Sequence, residues 1–119
     1  MLIEKLKTDF EFQDERGTLT QLVRRGYSQV NVITSKGGML RGGHYHKLNT
    51  EAFYIVSGSC KVMAYKGEEK EEFEFKAGDF FRVSPYVFHE FYYYEDTLLV
   101  SMYSLGVELY DGTKDTYTE

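Results

Sequence analysis

The chain has 119 residues and a net charge of −5, with 14 Lys and Arg against 19 Asp and Glu. That balance argues against a general nucleic-acid or anionic-membrane binder, because phosphate surfaces are held by clustered cations. The single cysteine excludes an intrachain disulfide, and neither a signal-peptide-like start nor a run of eighteen apolar residues is present, so one soluble, cytoplasmic domain spanning 1–119 is expected.

Eleven Tyr and nine Phe, with one Pro and no Trp, suit pleated, half-buried strands and lean the composition towards an all-β fold. Taken in order, Phe10 and Phe12 precede the charged break Asp14-Glu15-Arg16-Gly17, and Leu19 to Val23 follows it, which reads as a hairpin or loop. From Ser28 to Thr34 the apolar Val30 and Val32 alternate with Gln29, Asn31 and Ile33; the valines are expected inside and the polar residues towards solvent. Gly42-Gly43 then interrupts a strand, marking either a bulge, a bend, or a close backbone approach to a ligand.

Cys60, Val62 and Ala64 alternate inward after Gly58, so the cysteine reads as a small core residue. Lys66 to Glu71 is an exposed charged hairpin tip, and Phe73 and Phe75 alternate with Glu72, Glu74 and Lys76 in the clearest half-buried strand. Gly78-Asp79 and Ser84-Pro85 punctuate two further strands before the runs Val87 to Tyr94 and Thr97 to Tyr103. About nine or ten short strands at this spacing fit a sandwich or closed barrel. The acidic tail from Gly106 to Glu119 is expected to fold over the domain or over a partner subunit.

Within this frame, Gly38 to Gly58 reads G-x5-H-x-H-x4-E-x6-G. Residues two apart on a strand share a face, so His44 and His46 point the same way, and a short hairpin connection would bring Glu51 to them. His89, the remaining histidine, lies in G-D-x4-S-P-x3-H, from Gly78 to His89. Three imidazoles and a carboxylate suit a borderline divalent cation, zinc foremost, with iron, manganese, nickel or cobalt as the others.

This pattern resembles the cupin superfamily over essentially the whole chain. The first cupin motif is matched from Gly38 through His44, His46 and Glu51 to Gly58. In the second, Ser84 stands at the usual proline, Tyr86 at the usual glycine and Tyr93 at the closing asparagine. The resemblance implies a jelly-roll barrel, or double-stranded β-helix, with a metal inside held by His44, His46, Glu51 and His89. Further upstream, D-E-R-G-T-L at Asp14 to Leu19, Q-V-N at Gln29 to Asn31 and L-R-G-G-H-Y at Leu40 to Tyr45 are similar to nucleotide-sugar cupins. Those are the dTDP-4-keto-6-deoxyhexose 3,5-epimerases and 3,4-ketoisomerases, with a further likeness to the cupin domain of capsular-polysaccharide epimerase/reductases.

What this likeness implies is an isomerase acting on a nucleotide-linked 4-keto-6-deoxy sugar in surface-polysaccharide synthesis. Removing the acidic proton beside the ketone creates an enediolate, whose charge needs a Lewis acid or hydrogen-bond donor, and a base and an acid must move the proton. In the 3,5-epimerases the position of His44 is the base, whereas here His44 also completes the metal set. If it ligates, Tyr93, which shares the parity of His89, is the next proton carrier, with Tyr45 and Tyr54 behind it. Arg41, Lys47, Arg16 and Arg82 are the candidate cations for the nucleotide diphosphate, and Gln29 and Asn31 the candidate sugar or base contacts if their face is the cavity. A homodimer is expected. The same ligand set also suits a metal-dependent dioxygenase, and a non-catalytic sugar-binding cupin is a third reading.

Overall fold

The structure is a computed structural model and describes residues 1–118. Among these residues are eleven strands and no helix: β1 (Ile3–Lys5), β2 (Phe10–Asp14), β3 (Gly17–Gln21), β4 (Gln29–Ser35), β5 (Leu40–His44), β6 (Glu51–Ser57), β7 (Ser59–Lys66), β8 (Glu69–Lys76), β9 (Phe80–Val83), β10 (Phe88–Tyr93) and β11 (Thr97–Tyr103). One sheet has the order β1-β9-β6-β11-β4, a second β5-β10-β7-β8, and β2-β3 is a separate ribbon. From β4 to β7 and again from β8 to β11, successive strands switch between the two larger sheets. Those sheets face each other as a jelly-roll barrel. The strand beyond the expected count is β1, three residues on the sheet edge beside β9, too short to show an alternation of its own.

Period-2 patterning explains the core. Cys60, Val62 and Ala64 on β7 are fully buried against Phe53, Phe75, Phe81, Phe91 and Leu99, and the rings of Phe75 and Phe81 stack at 3.9 Å. Such aromatic pairs contribute about 0.5–1.5 kcal/mol beyond burial of their area. Burial pushes the Cys60 thiol up to about 12, so the cysteine is a protonated core residue. The opposite face of the five-stranded sheet carries Ala52, Phe80 and Met102, covered by Leu6, Leu22, Val23 and Tyr27.

Two expectations are overturned. On β4 the valines point outwards, with Val30 and Val32 60% and 71% exposed, whereas Gln29 and Asn31 are half-buried. The reason is Ile33, which shares their parity and packs on the core, so one residue of register turns both valines away. Gln29 is satisfied there by accepting the Val107 N–H at 2.8 Å. The second correction concerns β5 and β6, which do not form a hairpin. They lie in different sheets, and residues 45–50 cross from one to the other.

Candidate functional site

The Gly42-Gly43 break resolves as a bulge. Both glycines have positive φ, 93° and 77°, and the β5–β10 register slips there, pairing His89 with His44 but Glu90 with Gly42. The extra residue sets His44 directly opposite His89 across the strands. His46 lies beyond the end of β5, on the crossing segment, while Glu51 opens β6 in the facing sheet. The four side chains therefore converge from two sheets and a connection, and their nearest ligand atoms all lie within 4.8 Å of one another.

The surroundings orient these rings. His46 Nδ1 donates to the Asp115 carbonyl at 2.6 Å and His89 Nδ1 to the Val87 carbonyl at 3.0 Å. A carbonyl only accepts, so both protons sit on Nδ1 and both Nε2 atoms face inwards. Those atoms lie 2.9 Å and 3.2 Å from the same Glu51 oxygen, Oε1. Neutral imidazoles would present lone pairs to a carboxylate, an arrangement satisfied either by extra protons or by a cation at that point. The donor set thus fits a divalent ion, with His44 closing the group at ring-centroid distances of 5.0 Å from His46 and 4.8 Å from His89.

Without an ion, the charges distribute unevenly. Burial alone would raise the Glu51 carboxyl, but hydrogen bonds from His46, His89 and Ser101 outweigh it and hold the group well below the usual carboxylate range. For His46, burial opposes protonation, and Glu51 together with the Asp115 carbonyl prevails, raising the imidazole. Burial and then the neighbouring His89 push His44 down to about 4. His44 is therefore neutral near pH 7, as either a ligand or a base must be.

This neutrality has a measurable effect on metal-stripped protein. Between pH 6.5, the ordinary value, and about 4, the unfolded chain takes up a proton at His44 that the folded chain refuses, so this residue costs stability as pH falls. The thermal midpoint of wild type, measured relative to His44→Asn to cancel the other groups, is expected to drop across that window. A difference that stays flat would show that His44 titrates normally in the fold.

A cavity of about 180 Å³ opens beside the cluster between the two sheets. His44, Glu51 and His89 form one part of its wall, Tyr93 and Tyr103 another, and Arg41 lies on its lining while its guanidinium donates to the Thr34 carbonyl and Ser35 Oγ at 3.1 Å and 3.2 Å. The other sequence candidates stand elsewhere. Tyr45 points outwards and stacks between Tyr86 and Tyr117, Tyr54 packs against Phe80 on the outer face of the sheet, and Lys47 lies over the Tyr117 ring at 4.2 Å. Arg16 pairs with Asp14 at the tip of the β2-β3 ribbon, and Arg82 pairs with Glu4 in a different cleft. Gln29 and Asn31 share the inward face of Ile33, which does line the cavity.

Several site residues were not singled out from the sequence. Ser101 Oγ donates to Glu51 Oε2 at 2.6 Å, and Tyr103 packs edge-on to His46 at 5.2 Å. Both share the inward parity of Leu99 on β11, a signal the alternation contained. Tyr86 explains the family glycine at its position: its φ is 70°, a left-handed conformation costing a non-glycine residue about 1–3 kcal/mol. Its N–H donates to the His46 carbonyl at 2.6 Å, so the turn that supplies the Val87 carbonyl to His89 also braces His46.

A jelly-roll barrel with three histidines and a glutamate converging inside defines a cupin. Residues 12–117 match the family model described as the polysaccharide biosynthesis C-terminal domain. The chain belongs to that family. It is similar to a sugar 3,4-ketoisomerase from Thermoanaerobacterium thermosaccharolyticum, solved as a double mutant in complex with TDP, at 25% identity and a TM-score of 0.79, covering 99% of this chain and 88% of that one. A 3,4-ketoisomerase from Helicobacter canadensis shares the fold at 17% identity and a TM-score of 0.84, covering 100% of this chain and 92% of that one. A curated relative, the UDP-2-acetamido-2,6-beta-L-arabino-hexul-4-ose reductase of Pseudomonas aeruginosa, is 37% identical over 49 residues, or 40% of this chain. The match spans 13% of that relative's length.

Proposed function

We propose that the chain is a metal-binding isomerase, an epimerase or ketoisomerase that moves a proton beside the ketone of a nucleotide-linked 4-keto-6-deoxy sugar. The observation that carries this reading is the cavity itself, which combines an imidazole-carboxylate wall with Tyr93, Tyr103 and Arg41. Its 180 Å³ is below the roughly 300–1,000 Å³ of pockets that enclose whole ligands. It suits one sugar ring, with the nucleotide lying outside the mouth where Arg41 can meet a phosphate. Family membership in polysaccharide biosynthesis and the likeness to a TDP-bound ketoisomerase support the same substrate class, and a cytoplasmic site of action is part of the proposal.

In this reading His44, His46, Glu51 and His89 hold the ion, zinc foremost. When bound, a divalent cation supplies Lewis acidity that stabilises negative charge on a sugar oxygen. Tyr93 and Tyr103 stand inside the cavity as hydroxyl groups able to hold or pass a proton, and burial raises both phenols, so they serve as donors. If His44 does not ligate, its neutral imidazole is the base. The test is solvent exchange: in D2O, NMR should show deuterium entering C3 or C5 of dTDP- or UDP-linked 4-keto-6-deoxy sugars. No exchange across both nucleotide series would overturn the proposal. Oxygen consumption by the iron-loaded protein would favour the dioxygenase reading, which the three-imidazole, one-carboxylate set also supports.

A homodimer is part of this proposal. Register places Phe10, Phe12 and Leu19 on one face of the β2-β3 ribbon, where each is about half exposed, and a two-stranded ribbon alone is marginal in water. Val30 and Val32 form a second uncovered apolar strip, on edge strand β4. A second copy would cover these faces in a closed, symmetric contact. Sedimentation should show a dimer that Phe12→Asp converts to monomer; an unchanged coefficient would exclude the ribbon from the contact.

A further inference from the structure

Asp115 is a fully buried carboxylate in a tail that contributes no strand to either sheet. One of its oxygens accepts the Lys47 N–H at 2.9 Å, and the other accepts the N–H groups of Leu48 and Asn49 at 3.0 Å and Asn49 Nδ2 at 2.8 Å. Three successive backbone donors converging on one carboxylate form an anion nest. The same residue's carbonyl takes the His46 Nδ1 proton. Its own N–H is anchored on the Val107 carbonyl at 2.8 Å. Asp115 thus grips the crossing segment on both sides of its middle, turning residues 47–49 with its side chain and aiming His46 with its backbone.

The grip is reciprocal. Asn49 donates to the Gly106 carbonyl and accepts the N–H groups of Leu105 and Gly106, fixing the point where the tail leaves β11. Beyond Asp115, Tyr117 and Tyr45 exchange two backbone hydrogen bonds at 2.9 Å. The tail and the ligand-bearing segment therefore order each other, with Gln29 holding Val107 of the tail and Tyr86 bracing His46 from outside the pair.

We infer that Asp115 is a positioning residue for the metal centre, and that docking of the tail and binding of the ion are one coupled equilibrium. This rests on the metal-binding reading above. A docked tail holds His46 Nε2 towards Glu51, so the ion binds more tightly. By linkage, the ion must stabilise the docked tail by the same factor. A residue that only closed the tail would alter stability and leave ion affinity alone. Loss of groups that orient a metal ligand typically weakens metal affinity about 10- to 100-fold.

The test uses the full chain. Zinc affinity is measured by chelator competition for wild type, Asp115→Ala and Asp115→Asn, with circular dichroism verifying that each is folded at the temperature used. The visible spectrum of bound cobalt reports ligand geometry, and tryptic cleavage after Lys114, followed by mass spectrometry, reports tail opening. Zinc should slow cleavage at Lys114 in wild type about ten-fold or more, both substitutions should weaken zinc about 10- to 100-fold, and the cobalt spectrum should change. Unchanged zinc affinity in a folded variant, or wild-type cleavage indifferent to bound zinc, would overturn the coupling while leaving the metal reading intact. Should the alanine variant not fold, the asparagine variant and the wild-type cleavage rates still decide. Failure of wild type to bind either ion would overturn the metal reading and the coupling with it.

Discussion

Glu51→Gln is expected to lower zinc affinity at least about 100-fold, equivalent to about 2.7 kcal/mol. The carboxylate is 3% exposed, and its Oε1 is the atom on which both His46 Nε2 and His89 Nε2 converge, so it supplies the only anionic charge of the four-residue cluster. Glutamine keeps the shape but turns one terminal atom into a donor. If the amide oxygen takes the Oε1 position, the Ser101 hydroxyl must turn its proton elsewhere and accept from the new NH2 group instead of donating. If the NH2 takes it, the inward lone pair is lost altogether. Metal-free protein should lose about 1–3 kcal/mol of stability as well, the cost of disturbing buried hydrogen-bond partners. Chelator competition and urea unfolding separate the two effects. Wild-type zinc affinity in the glutamine variant would remove Glu51 from the ligand set.

Among the glycines, Gly58→Ala should be the most destabilising alanine substitution, at about 3 kcal/mol, from overpacking and left-handed backbone strain of about 1–3 kcal/mol each. Its φ is 97°, and an added Cβ would lie 2.4 Å from Thr97 Oγ1, 2.6 Å from the Asp96 carbonyl oxygen and 2.7 Å from Thr97 Cα. Two of those three atoms are backbone and cannot swing aside. Gly58 is the corner where β6 leaves one sheet and β7 enters the other, so any shift is passed to both. A fall in thermal midpoint of about 10 °C is expected. Zinc affinity of the protein that remains folded should be unaltered, because the corner lies at the end of β6 opposite Glu51. A loss below about 1 kcal/mol would mean that the β6-β7 corner and the start of β11 separate easily.

The two variants test different kinds of information. Glu51 is legible in the spacing H-x-H-x4-E, and its chemistry needs no knowledge of the sheets. Its route to the histidines is not the hairpin that spacing predicts: the residue arrives from the facing sheet. Gly58 was a motif position, and only the packing of Thr97 against it shows why no side chain fits. The Tyr86 position shows the same relation in reverse: the family glycine is absent, yet the left-handed turn it served is kept, because the turn holds both His46 and His89.

By itself, the sequence determined the all-β class, the inward parity of β7, β8 and β10, and the identity of the four converging side chains. These follow from period-2 alternation and from the chemistry of imidazole and carboxylate, which are local properties. Only the tertiary structure decided which sheet each strand joins, which face of β4 is buried, and which cations stand near the cavity. Alternation says which residues share a face but not what that face meets, and so Arg41 stays by the site while Arg16 and Arg82 do not. Asp115 lies 66 to 69 residues from the groups it binds. No pattern of spacing marks such a residue, because its role exists only once the tail has folded back on the crossing segment.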